Sequence, residues 1–254
     1  VWAYSTYRDL PVGVRHDPRV KVQFCDHGRC YGHAFDDPKC PRNVELFKLL
    51  KGWLEVTPQV YTYEYATCAP MRYICPEAIE EHDIKLYHRL GMVGWKNEAE
   101  FTGSVWAHKR WEGAEVGFQS CWQWIWMAGK LLWDPTLSGQ ALIDGAEEKY
   151  YGVAYPAMKR YQALRRKIWN ASGVCMGYPG GDPRRPTLLN LPGAKEELLA
   201  LLDEADRLAA GADEVTRFRV RQDRNWLNEY WIKPHAELAE KISKAYHVNE
   251  TSVP

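Results

Sequence analysis

A few carboxylates and one histidine stand where strand-like segments give way to loops, and these groups can move protons. Asp9 follows the first such segment and Asp26 and His27 follow the second; Glu64 lies within the third, and Glu98 and Glu100 follow the fourth. Paired carboxylates flanked by Tyr and Trp are what glycoside hydrolysis uses. One protonates the leaving oxygen, while the other attacks the sugar or activates water. Tyr63, Tyr65 and Trp95 supply large apolar faces with polar handles on which a sugar ring can rest. Glu64, Glu98, Glu100 and Asp26 are therefore the catalytic candidates, with His27, Arg29, His33, Tyr63, Tyr65 and Trp95 as substrate-binding candidates. Glu64 also carries a second reading. The run YTYEYA alternates, so Glu64 shares a face with Thr62 and Ala66, opposite Tyr63 and Tyr65. It either faces the lumen of a barrel or is salt-bridged between helix and sheet.

The segment CDHGRCYGHAFDDPKC gathers Cys25, His27, Cys30, His33 and Cys40. Thiolate and imidazole ligands can build a tetrahedral zinc site. The spacing matches no standard finger or ribbon, however, and a second ligand pair at the usual distance is missing. The expectation is a loop without metal, tied by a Cys30–Cys40 or Cys25–Cys30 bridge. Arg29 and His33 would then contact an acidic or polyhydroxylated ligand, since Arg matches a carboxylate in a bidentate fork. Seven cysteines are an odd number for a closed disulfide set, but their clustering suits an oxidising, secreted or periplasmic setting. No GxSxG, P-loop or GxGxxG element occurs in a strand–turn–helix context, so no cofactor is expected.

Four strand-like segments must position these groups: VWAYSTY from Val1, VKVQFC from Val20, QVYTYEYA from Gln59 and GMVGWK from Gly91. Helical patterns lie between them. Asn43 to Val56 puts Leu46, Leu49, Leu50 and Trp53 on one face, with Asn43 as N-cap, and Pro76 to Leu90 opens on proline and ends before Gly91. Strand, helix, strand repeated in this way points to βα units and a parallel sheet. From Gly117 the chain reads as helices. Gln119 to Trp133 is apolar on most sides and is expected to be buried. Ser138 caps a helix running to Tyr151, and Tyr155-Pro156 opens another. After a loop from Ser172 to Gly193 come Ala194 to Ala210 and Asp213 to Tyr246, the latter broken near Pro234. The expected division is 1–135 for the βα units and 136–254 for a helical region.

Composition excludes several classes. Lys plus Arg equals Asp plus Glu, at 33 each in 254 residues, whereas a phosphate-backbone binder shows a basic excess. The basic run RYQALRRK, Arg160 to Lys167, reads as the solvated face of a helix, and nucleic acid is not an expected partner. The apolar stretch from Trp122 to Trp133 is shorter than the roughly 20 residues of a membrane span. Four strands supply half of an eight-stranded barrel. The chain is thus either the later half of a barrel, with the first half as its partner, or a small open α/β sheet with a helical extension. Val1 stands where an initiator Met is expected, which agrees with a processed protein or a fragment.

The segment MAGKLLWDPTLSGQALIDGAEEKYYG, Met127 to Gly152, resembles the family-67 glycoside hydrolases, the α-glucuronidases, and the barrel domains related to them. The similarity is closest to the domain of unknown function numbered 4838, on RCYGH (Arg29 to His33), YEYA (Tyr63 to Ala66) and LLWDP (Leu131 to Pro135) in this order. It spans about Val1 to Asn170. The resemblance implies the C-terminal half of a (β/α)8 barrel followed by an α-helical region. The implied activity is hydrolysis of a glycosidic bond in a plant or algal polysaccharide. It transfers no catalytic pair, because Arg29 and His33 stand where an acidic residue is expected. The alternatives are a non-catalytic carbohydrate-binding or assembly module, including one that pairs with a second copy of the chain, and a zinc-stabilised domain.

Overall fold

A computed structural model describes residues 1–13, 16–67, 73–99, 119–173, 175–177 and 185–250. The chain is α/β; the described residues hold a parallel sheet in the order β1-β2-β3-β4, with helices over most of the remainder. The strands are β1 (Trp2–Ala3), β2 (Val22–Cys25), β3 (Val60–Thr67) and β4 (Gly94–Ala99). Helix α1 (Pro41–Val56) connects β2 to β3, and α2 (Glu77–Arg89) connects β3 to β4. The first strand is shorter than its aromatic composition predicts. After Ala3 the chain turns through a 3₁₀ segment, Ser5–Tyr7, with Ser5 at a φ of 51°.

Strand register sorts the side chains onto two faces. Ala3 pairs with Phe24, Phe24 with Thr62, and Thr62 with Trp95, so these point one way together with Val22, Val60 and Glu64. This face carries the core: Val22, Phe24 and Val60 pack on Leu46, Leu50 and Trp53 of α1 and on Leu86 and Tyr87 of α2. Trp2, Gln23, Tyr61 and Gly94 form one row on the other face, and Cys25, Tyr63 and Lys96 form the next.

Asn43 is not the N-cap of α1 but lies inside it. Cys40 holds the cap position, and Pro41 fills the first turn, where its missing N–H is not needed. The buried Asn43 side chain instead moulds the loop after β2. Its Oδ1 accepts from the Cys30 N–H at 2.8 Å, and its Nδ2 donates to the carbonyls of Cys30, His33 and Ala34 at 3.0, 3.1 and 2.9 Å.

Helix α3 (Trp122–Trp133) corrects a second expectation. It buries Trp124, Met127, Ala128 and Leu131, one stripe at helical spacing, while Trp126 and Leu132 are exposed and Trp133 is 92 % exposed. The Lys130 ammonium sits 4.6 Å from the Trp126 ring centre and shields it. A groove along α3 is lined by Trp124, Ala128 and Leu132 together with Trp95 and Asn97 of β4, so α3 covers the same sheet face as α1 and α2.

The chain divides into two compact units, Val1–Ile143 with Gly173–Asp182, and Asp144–Ser172 with Pro183–Pro254. Helix α4 (Gly139–Tyr151) ends at Gly152, whose φ of 51° suits glycine. The second unit holds α5 (Tyr155–Ala171), α6 (Ala194–Ala209), α7 (Glu214–Leu227) and α8 (Lys233–Glu250). A π turn, Asn228–Ile232, marks the expected break before Pro234. Inside this unit Asp223 accepts from the Tyr151 hydroxyl at 2.7 Å and from Gln162 Nε2 at 3.0 Å, and Arg165 Nε donates to Gln162 Oε1 at 2.8 Å. Arg165 is fully buried, so the basic run of α5 is not a wholly solvated face.

Replacing Asn43 by Ala orphans four backbone groups, two buried at Cys30 and two half-buried at His33 and Ala34, and is expected to cost about 3 kcal/mol. Urea denaturation should show that loss, whereas Val44→Ala on the outer face of α1 should change stability by less than about 0.5 kcal/mol. Equal effects would contradict the role given to Asn43.

Candidate functional site

The helix-facing side of the sheet holds a charge cluster centred on Arg29. The sharp turn after β2 swings this residue under the sheet, where it is completely buried. Nη1 donates to both Glu64 oxygens at 2.9 and 3.0 Å and to the Tyr87 hydroxyl at 3.0 Å, while Nη2 binds Asp83 of α2. The guanidinium lies between the rings of Tyr31 and Phe35, at 4.6 and 4.7 Å from their centres. Glu64 also accepts from the hydroxyls of Tyr31 at 2.9 Å and Tyr87 at 2.7 Å. Asp83 receives the Phe35 N–H at 2.9 Å. One cation therefore ties the β2 loop, β3 and α2 together.

Four buried carboxyl groups, Asp26, Glu64, Glu80 and Asp83, share this layer with that single guanidinium. They cannot all be ionised there, because unpaired charge in a low-dielectric interior is expensive. Burial favours the neutral form of Glu64, but the Arg29 charge and the tyrosine hydroxyls outweigh it and hold this carboxyl below its ordinary value. Burial and then the adjacent Glu64 charge push Asp26 and Glu80 well above the usual carboxylate range. Burial also raises Asp83, to about 6, against the pull of Arg29. Asp26, whose Oδ2 lies 3.6 Å from Arg29 Nη1, is thus driven toward its neutral form beside Glu64. Carboxyl groups driven apart in this way are a pattern of acid/base sites. Both, however, are sealed between sheet and helices.

The opposite face carries the aromatic groups. Trp2 is 63 % exposed, and its ring lies 6.3 Å from that of Tyr63. Tyr63 continues to Tyr65 at 5.1 Å, Tyr65 to His27 at 5.3 Å, and His27 to Tyr4 at 5.6 Å. The Tyr63 hydroxyl donates to Glu98 Oε2 at 3.0 Å, and the Lys96 ammonium sits 4.7 Å from the Tyr63 ring centre. The Tyr61 hydroxyl donates to Gln23 Oε1 at 2.9 Å. Burial and then the nearby Arg8 charge lower the His27 pKa, favouring the neutral imidazole. These groups flank the carboxyl ends of the strands, where parallel sheets bind ligands.

The structure therefore separates residues that the sequence had placed in one cleft. His27, Tyr63, Tyr65 and Glu98 come together on the aromatic face. Asp26, Arg29 and Glu64 form the buried cluster behind it, and the Glu64 ion pair is with Arg29 of the β2 loop, which in turn binds Asp83 of α2. Trp95 faces α3 and not the tyrosines. His33 lies against Cys30, with Nδ1 3.2 Å from its Sγ, and near Cys175. The expected Cys30–Cys40 or Cys25–Cys30 bridge is absent, since Cys25, Cys30 and Cys40 are free. Glu100 lies outside the described residues. Sequence reading missed Trp2, Tyr4, Tyr61 and Lys96 on the aromatic face and Tyr31, Glu80, Asp83 and Tyr87 in the cluster. Period-two alternation carried through all four strands would have found the first group; the second depends on α2 docking.

A family model described as a domain of unknown function, DUF4838, matches residues 1–163. No curated protein and no solved structure matches the chain.

The cluster fixes a pH dependence. A carboxyl whose pKa is raised by folding makes the folded state bind more protons, so its contribution to stability falls as pH rises above the unfolded value near 4. Asp26 and Glu80 act in this sense, and Asp83 joins them up to about pH 6. Asp26→Asn mimics the protonated form. Denaturation from pH 5 to 7 should show stability falling in the wild type and falling less in the variant, by about 1.4 kcal/mol per pH unit. Parallel profiles would contradict a protonated Asp26.

Proposed function

The chain belongs to the DUF4838 family, and from that premise we propose that its aromatic sheet face is the sugar-binding wall of a glycoside hydrolase-like barrel. The observation that carries the reading is the row Trp2–Tyr63–Tyr65–His27 with Glu98 held by the Tyr63 hydroxyl. The exposed Trp2 and the half-buried Tyr63 and His27 present their rings to the apolar CH surfaces of a sugar, with the buried Tyr65 behind them, while Glu98, Lys96 and the Tyr63 hydroxyl bind its hydroxyl groups. Sheet topology supports the barrel. Sequential order without reversal keeps α1 and α2 on one side, as in the closing arc of a (β/α)8 barrel, whereas a doubly wound sheet reverses direction and is covered on both faces.

In this reading Glu98 is the acid/base carboxylate of the wall. Glu64 and Asp26 hold the frame. The substrate class is a plant or algal polysaccharide or an oligosaccharide from it, in keeping with the resemblance to α-glucuronidases. One observation favours a purely binding role: among the described strand residues Glu98 is the only carboxylate on this face, and hydrolysis uses two. The second must come from outside these strands for turnover to occur.

Screening against plant and algal oligosaccharides, uronic-acid-bearing ones included, separates these outcomes. Trp2→Ala and Tyr63→Ala should each weaken glycan binding about tenfold, roughly 1.4 kcal/mol. Glu98→Gln should retain much of the glycan binding, since an amide still hydrogen-bonds the sugar, and abolish any turnover. Binding without turnover in the wild type would select the binding-module reading. Absence of glycan binding, or binding indifferent to Trp2 and Tyr63, would overturn the proposal.

A further inference from the structure

The geometry points to a structural zinc site made by Cys30, His33, Cys40 and Cys175. The four ligand atoms, three Sγ and one imidazole nitrogen, all lie within 4.8 Å of one another. Cys30 Sγ is 3.2 Å from His33 Nδ1, Cys175 Sγ is 3.7 Å from the same nitrogen, and Cys40 and Cys175 Sγ are 3.6 Å apart. A zinc ion with bonds of about 2.3 Å to sulfur and 2.0 Å to nitrogen requires ligand-to-ligand edges of roughly 3.3 to 3.8 Å. The three edges above lie within about 0.3 Å of the tetrahedral values, roughly 3.5 Å for sulfur–nitrogen and 3.8 Å for sulfur–sulfur, and the 3.6 Å sulfur pair is far too long for a disulfide, whose bond is about 2.0 Å.

The donor set selects the metal and its role. Three thiolates and an imidazole are soft and borderline ligands that favour zinc over magnesium or calcium. Four protein ligands close the coordination sphere, as in structural sites, and leave no open position for substrate. Binding displaces three thiol protons, leaving three thiolates, a neutral imidazole and Zn²⁺ with a net charge of −1. The surroundings suit that charge, because the Gly32 and Met176 N–H groups both donate to Cys30 Sγ, at 3.3 and 3.4 Å.

Neighbouring contacts fix the ligand positions. Asn43 holds the carbonyls of both Cys30 and His33. The strip that brings Cys175 is clamped by the Tyr31 N–H, which donates to the Met176 carbonyl at 2.8 Å. It approaches so closely that a Cβ on Gly177 would lie 2.1 Å from the Arg29 carbonyl oxygen. Cys175 is 135 residues beyond Cys40, so the metal would pin the returning strip Cys175–Gly177 to the βα unit. Cys25 takes no part; its thiol is directed at the Gln23 carbonyl.

Elemental analysis of the full chain, purified without chelator and reconstituted with zinc, tests the site. The expected result is one zinc per chain, resistant to brief EDTA treatment and released when a mercurial blocks the thiols. Cys175→Ser and His33→Ala should lower zinc content several-fold, and Cys25→Ser should leave it unchanged. Because the ligand variants can fail to fold, cobalt substitution of the wild type supplies a second readout: an intense visible band and thiolate charge transfer report a tetrahedral, sulfur-rich site. Sub-stoichiometric zinc without the cobalt spectrum would overturn the assignment. So would an intact mass two hydrogens lighter, localised to a Cys40–Cys175 disulfide.

Discussion

The first unit depends on the burial of one guanidinium. Arg29 reaches Glu64 on the sheet and Asp83 on α2 from a loop that would otherwise lie at the surface, and two aromatic rings enclose it. Exchanging such a pair for apolar groups of similar shape can be neutral, but removing one partner leaves an uncompensated charge, at a cost of about 3–5 kcal/mol. The Arg fork adds direction to that energy, since its planar donors fix the angle between β3 and α2. Burial and the Glu64 charge drive the surplus carboxyls, Asp26 and Glu80, toward their neutral forms, which lessens repulsion in the layer.

This internal arrangement divides the chemistry of the sheet. Acidic groups on the helix side are bound up in architecture, and the opposite face, the proposed ligand face, is aromatic, with Glu98 at its rim. The loop after β2 serves both sides. Asp26 and Arg29 turn inward, His27 joins the tyrosines, and Cys30, His33 and Cys40 gather at the far end. Asn43 holds this loop in shape from within α1, so helix, loop and both candidate sites are mechanically one piece.

Much of the fold was legible in the residues. Strand–helix alternation located β2, β3, β4, α1 and α2, and proline and glycine punctuation found the ends of the later helices. RCYGH, YEYA and LLWDP indicated the family to which residues 1–163 belong. Legibility failed where side chains meet across long separations. Alternation placed Glu64 opposite Tyr63 and Tyr65, yet its partners Arg29 and Tyr87 are 35 and 23 residues away, and no local pattern reports them. His33 looked like a ligand-binding residue because Cys175, 142 residues distant, carries no signal of its own. The α3 tryptophans misled through composition: Trp126 and Trp133 share the helix with the buried Trp124 but lie off its stripe.

The central claim, that the Arg29–Glu64 pair is architecture behind an aromatic ligand face, is tested most directly by a double-mutant cycle. Arg29→Met and Glu64→Met would be measured alone and together for denaturation free energy and for glycan binding. The account predicts that each single variant loses about 3–5 kcal/mol, that the double loses at least about 2 kcal/mol less than their sum, and that the folded double still binds glycan. Additive losses, or a folded double variant that no longer binds, would contradict it and return Glu64 to the ligand site.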